Sequence, residues 1–173
     1  MTHRSREVLQ DCEIALAMLE DEQDFHRWRV LWAGSVALVR AVGHVLHKVD
    51  SSAPGYAPII NDLFATWKAD RKTHAIFWDF IEAERNNILK QYHFNMHPLE
   101  EVDVAVVLTL QHPGTGETHQ VQDVVPLGEN IYRPLLDGYG DGEDARDVYK
   151  EAIDWWDHQL STIEARYAKA QSQ

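Results

Sequence analysis

Apolar side chains recur every three to four residues along five stretches of this chain, and every two residues along a single stretch. The first spacing keeps one face of a helix apolar, and the second keeps one face of a strand apolar. Val8, Leu9, Cys12, Ala15, Leu16 and Leu19 predict a helix over 4–21. Phe25, Trp28, Trp32, Val36, Val39, Val42 and Leu46 predict a longer one over 25–49. Ile59, Ile60, Leu63, Phe64 and Trp67 follow, with Pro58 at the first helical position. Phe77, Phe80, Ile81, Ile88 and Tyr92 predict one helix over 73–96, capped by Thr73 and stopped before Pro98. Ala145, Val148, Tyr149, Ala152, Trp156, Leu160, Ile163 and Tyr167 predict the last, from about 142 to 170. In contrast, Val102, Val104, Val106, Leu108 and Leu110 alternate with Asp103, Ala105, Val107, Thr109 and Gln111. HPGTGET supplies a turn, and His119–Val125 a returning strand. The fold class is therefore mainly α: a helical bundle of about five helices with one inserted β-hairpin at about 101–126. The whole chain, 1–173, forms a single domain.

An isolated hairpin is marginal in water, so this one must lie on the helices or pair with a second chain. Gly34 and Gly43 interrupt the second helix at a cost in helix propensity. Close approach by a neighbouring helix would explain them. Asp24, after the acidic run at 20–24, is placed to cap that helix.

The charge balance narrows the partners. The formal net charge is −12, which repels a phosphate backbone, so broad duplex-DNA binding is not expected. No uninterrupted apolar run reaches the length of a membrane span, and MTHRSREVLQDCE lacks an apolar leader core. A cytoplasmic protein without membrane attachment is the expectation. The one cysteine, Cys12, excludes an internal disulfide and reads as a small buried hydrophobe. No nucleophile elbow, phosphate loop or dinucleotide turn is present, so no cofactor is expected. Ten histidines invite a metal site. However, the paired Glu-x-x-His segments of a metal-binding bundle are missing, and no metal is assigned. DGYGDGED lacks the twelve-residue calcium-loop order.

Charged residues inside apolar stripes are the remaining signal. On a straight helix Arg85 falls within about 40° of Ile81 and Tyr92, facing the core or a partner, where an arginine must be paired. Glu84 and Arg85 are then expected to pair with the second or last helix, and Asn86 and Asn87 to serve the hairpin backbone. Arg29, Arg40, His44 and His47 fall within roughly 60° of one another on the second helix and form a possible anion-binding strip.

Arg85-Asn86-Asn87-Ile88-Leu89-Lys90-Gln91-Tyr92 resembles the signature of the HEPN superfamily, helical bundles that include metal-independent ribonucleases of toxin and defence systems. Arg85, Asn86 and Tyr92 match that pattern. Lys90 stands where the family histidine would align, and His93 comes one residue beyond the usual gap. The resemblance implies a catalytic set of Arg85, Asn86 and His93. Arg85 would hold the phosphate and His93 would move the proton. Substrate contacts from Arg40, His44, His47 and Lys90 would extend the phosphate pocket, with the site doubled in a dimer.

Two classes of function follow. One is a non-catalytic interaction or assembly module that homodimerises through its tryptophan-rich surfaces. The other is an HEPN-like ribonuclease, or a catalytically decayed relative, with RNA as partner.

Overall fold

The computed structural model describes residues 2–97, 102–127 and 132–172. Among them are the five helices and the hairpin. They are α1 (His3–Asp21), α2 (Phe25–Lys48), α3 (Tyr56–Ala69), α4 (Glu82–Asn86), β1 (Val102–Gln111), β2 (Thr118–Leu127) and α5 (Ala145–Gln171). Wide helical turns at Ile76–Ile81 and Asn87–Gln91 flank α4.

The apolar stripes meet in one core. Leu9, Cys12 and Leu19 of α1, Trp28, Trp32, Val36, Val39 and Val42 of α2, and Val148, Trp156 and Leu160 of α5 are all sealed from solvent. Burial pushes the Cys12 thiol up to about 11, as expected of a packing residue rather than a nucleophile. The tryptophans do not form a surface. Trp28, Trp32, Trp67 and Trp156 are buried, and Trp78 and Trp155 are half-buried. Six aromatic side chains are too much apolar area to leave in water when five stripes can enclose it. By length and composition α2 is apolar enough to cross a membrane, contrary to the reading of the sequence. Here its apolar stripe is the wall that every other helix leans on.

Caps set the helix starts. Asp24 accepts from Arg27 N at 2.8 Å, as its position predicts. Asp144 accepts from Arg146 N at 2.9 Å and starts α5 three residues later than the periodicity indicates. α1 has no local side-chain cap. Its amides are met by Asp50, which accepts from Ser5 N and Ser5 Oγ at 2.9 and 2.6 Å. Gly55, left-handed at φ 86°, precedes α3, so Pro58 sits in its third position rather than its first.

Of the two glycines in α2, only Gly43 is a close approach. A Cβ there would meet the Trp156 ring at 2.7 Å, whereas one on Gly34 would meet nothing within 4 Å.

The central helical stretch corrects the sequence reading most. It begins at Ile76, not Thr73, whose amide instead donates to Asp70. It ends at Tyr92, left-handed at φ 51° and 68% exposed, well before Pro98. Ile76, Phe80, Glu84 and Ile88 follow one another at intervals of four, and all are buried. Phe77 and Ile81, on the line through Arg85, are buried too, but that line turns outward at Arg85 and Leu89. Glu84 is the buried charge, at 3% exposure, and Arg85 lies at the edge of the core.

The hairpin keeps its predicted strands and pairs Val104 with Val125, Leu108 with Val121 and Leu110 with His119. Its base is stitched by the flanking loops. Met96 bridges Leu135, His97 N donates to Pro134 O at 2.9 Å, and Asn95 Nδ2 donates to Asp137 O at 2.7 Å. Beyond that base the helices do not cover it. Every side chain from Asp103 to Pro126 is exposed except Val106, which is half-buried.

Candidate functional site

Two features of the surface stand out, a cationic groove on the bundle and the uncovered hairpin. The groove comes from the polar row of α2. Arg40 reaches Glu82 on α4, with Nη2 to Oε1 at 2.7 Å, and its guanidinium lies 5.9 Å from the Phe77 ring centre. This is the ion pair that ties α2 to the central stretch, the role expected of Glu84 and Arg85. Arg85 projects beside it and donates to Asn86 Oδ1 at 3.0 Å. Arg40, His44, Arg85 and Leu89 line an open groove of about 320 Å³, floored by Ala37 and Ala41.

An adjoining cavity of about 330 Å³ shares Arg40 and His44. His47 and Lys48 join its rim, and Trp67, Phe77 and Trp156 form its floor. The structure thus brings Arg40, His44 and Arg85 together and places His47 next door. Asn86, Lys90 and His93 do not line either space. Lys90 and His93 are exposed, His93 just past the end of the helix, where its amide donates to Asn87 O at 3.1 Å. The histidine beside Arg85 in the groove is His44.

Glu84 works on the inner side of the same stretch. It accepts from Trp32 Nε1 at 3.2 Å and from Asn95 N at 3.3 Å, joining α2 to the base of the hairpin. Burial raises its carboxyl above the ordinary range. The bonds from Trp32, Asn95 and Asn87 and the charge of His93 pull the other way. Among the described residues Asn86 and Asn87 serve Arg85 and Glu84.

The hairpin has two unequal faces. The β1 residues Val104, Val106, Leu108 and Leu110 stand on one side with Val125, Asp123, Val121 and His119 opposite them. The other side carries Ala105, Val107, Thr109 and Gln111 against Val124, Gln122, Gln120 and Thr118. Leu108, Leu110 and Val121 are 52%, 56% and 46% exposed. An exposed face of this kind, apolar except for Asp123 and His119, marks a contact surface.

The sequence reading missed Arg133, inside an irregular connection. It is buried, with its guanidinium 5.4 Å and 5.7 Å from the ring centres of Phe25 and Trp28. No periodicity governs a loop, so nothing in the spacing marks it. Among the described residues no three His, Cys, Asp or Glu side chains converge to hold a metal ion. The chain matches no family model, no curated protein and no solved structure.

Proposed function

We propose that this chain is a non-catalytic assembly module that forms a homodimer, and that the hairpin is its contact element. The observation that carries the reading is the hairpin's uncovered apolar face. Two strands alone are marginal in water, and among the described residues no further strand pairs with either edge of this sheet. The helices below already have a closed core and do not need the hairpin to complete it. A partner that pairs with an edge satisfies the backbone, and one that lies on the face buries its apolar side chains. Light scattering and sedimentation at micromolar concentration test this. The wild type is expected to be a dimer. Leu108→Glu with Leu110→Glu is expected to be a monomer with unchanged helical circular dichroism. A monomeric wild type, or a dimer that survives both charges, overturns the reading.

A second reading is supported by the groove, where Arg40, His44 and Arg85 share one open space. In it the chain is an HEPN-like ribonuclease, or a relative that retains only RNA binding. Arg85 and Arg40 are suited to a phosphate, and His44 to proton transfer. The test is cleavage or binding of mixed RNA in EDTA by the wild type, Arg85→Ala, His44→Ala and His93→Ala. This reading expects Arg85→Ala and His44→Ala to lose activity and His93→Ala to keep most of it. Wild-type protein that neither binds nor cuts RNA removes it.

A further inference from the structure

We infer that β2 pairs with β2 of a second copy, antiparallel, about a two-fold axis through Val121, so that His119 of each copy faces Asp123 of the other. This rests on the hairpin being the assembly element and adds its register.

Backbone direction comes first. His112 N donates to Glu117 O at 2.8 Å, which makes 112 and 117 a hydrogen-bonded pair. In an antiparallel ladder such pairs alternate with non-bonded ones. The pairs Leu110–His119, Leu108–Val121 and Val106–Asp123 are therefore bonded within the hairpin. The amides and carbonyls of Thr118, Gln120, Gln122 and Val124 point out of the sheet. One observation agrees directly: Val124 N is held by the Asp123 carboxylate of its own strand, at 2.9 Å, rather than by β1. Pro126 falls in the same outward set, and its missing N–H belongs on a free edge.

The free edge is bounded, and its bounds select a centre. At one end lies Gly116 in the turn, left-handed at φ 74°. At the other lies Pro126, which cannot donate. The midpoint between them is Val121. An antiparallel pairing centred there sets Gln120 against Gln122 of the second copy, and Thr118 against Val124. Gln120, Gln122 and Thr118 then find backbone partners. Val124 N exchanges the Asp123 carboxylate for Thr118 O of the second copy and so frees that carboxylate for His119. Pro126 falls opposite the turn, where no ladder bond is needed.

The side chains fit the same centre. Val121 meets its own copy. His119 meets Asp123 on both sides of the axis, at non-bonded positions where side chains stand closest. Gln120 and Gln122 meet on the other face, each able to donate and accept. HQVQD reads as a palindrome with complementary ends. The edge of β1 has no such match. Its charge, Asp103, would face Gln111 when its strand is paired about Val107. The product is a four-stranded sheet, within the range that is stable in water. Its apolar faces lie side by side.

A charge exchange and a single cysteine test the register. His119→Asp alone and Asp123→His alone place like side chains opposite one another twice per dimer. Each is expected to weaken dimerisation about tenfold. The double variant H119D/D123H restores the pairing and is expected to return to within about threefold of wild type. Val121→Cys places two thiols on the axis at a Cα separation of about 4.5 Å, inside disulfide range. It is expected to crosslink under mild oxidation, with Cys12 sealed in the core. Val125→Cys lies far from its mate and is expected not to. If the double variant fails to restore affinity and Val121→Cys stays uncrosslinked, while Leu108→Glu with Leu110→Glu still dissociates the dimer, the register is overturned and the hairpin remains the contact. A monomeric wild type overturns both.

Discussion

Trp156→Ala is expected to lower stability by about 3–5 kcal/mol, measured by urea unfolding. That is a large share of the roughly 5–15 kcal/mol that holds a domain folded. Trp156 is sealed from solvent and lies where α2, α3 and α5 converge. Its ring centre is 5.7 Å from that of Trp67, 5.8 Å from Phe77 and 4.8 Å from Trp155. Its indole N–H meets no hydrogen-bond partner among the described residues, so the expected loss is one of packing. Gly43 is the other half of this contact, since any Cβ there strikes the Trp156 ring at 2.7 Å. The ring is rigid and wedged among aromatics, so Gly43→Ala is expected to cost about 1–3 kcal/mol although alanine is the better helix former. In the Trp156→Ala background the same change has no ring to strike. It is expected to become neutral or stabilising there. Additive losses in the double variant would mean that Gly43 is needed for some other reason.

Glu84 yields the second large effect, and its sign depends on pH. Glu84→Ala leaves the Trp32 indole N–H and the Asn95 amide without their buried acceptor, at an expected cost of about 2–4 kcal/mol. Glu84→Gln keeps an oxygen for both and carries no charge. Burial raises the folded-state pKa of Glu84 above its unfolded value. The folded protein therefore holds this proton longer than the unfolded chain does. The contribution of Glu84 to stability falls as pH rises from the ordinary carboxyl range through the raised value. Glutamine has no such loss. Urea unfolding of the two proteins at several pH values is expected to give similar stability near pH 4, with the Glu84→Gln advantage growing toward pH 8. A constant difference across that range would mean that Glu84 titrates as an ordinary exposed carboxyl.

These two residues mark where the sequence could be read and where it could not. Five apolar stripes at helical spacing and one at strand spacing determine the elements, because burying a stripe requires a regular spacing, and that spacing is local. Trp156 on its stripe, the cap at Asp24, the buried Cys12 and the strand pairing of 102–127 are all of this kind. The row of Arg40, His44 and His47 was legible for the same reason. Phase within a stripe was not. Glu84 and Arg85 are neighbours, about 100° apart on a helix, and both border the apolar arc. Only the tertiary packing, with Phe80 set against Trp32 of α2 and Ile76 and Ile88 buried beside it, turned Glu84 inward and left Arg85 beside the groove. Contacts between distant segments were hidden too. Asp50 satisfies the start of α1 from 45 residues away, and Arg133 stacks on Phe25 and Trp28 from a loop without periodicity. The sequence by itself determined that the hairpin had to be covered by something, since two strands cannot shield their own apolar face. Only the tertiary structure decided that the helices do not cover it. They close their core without it, and this leaves the edge of β2 open.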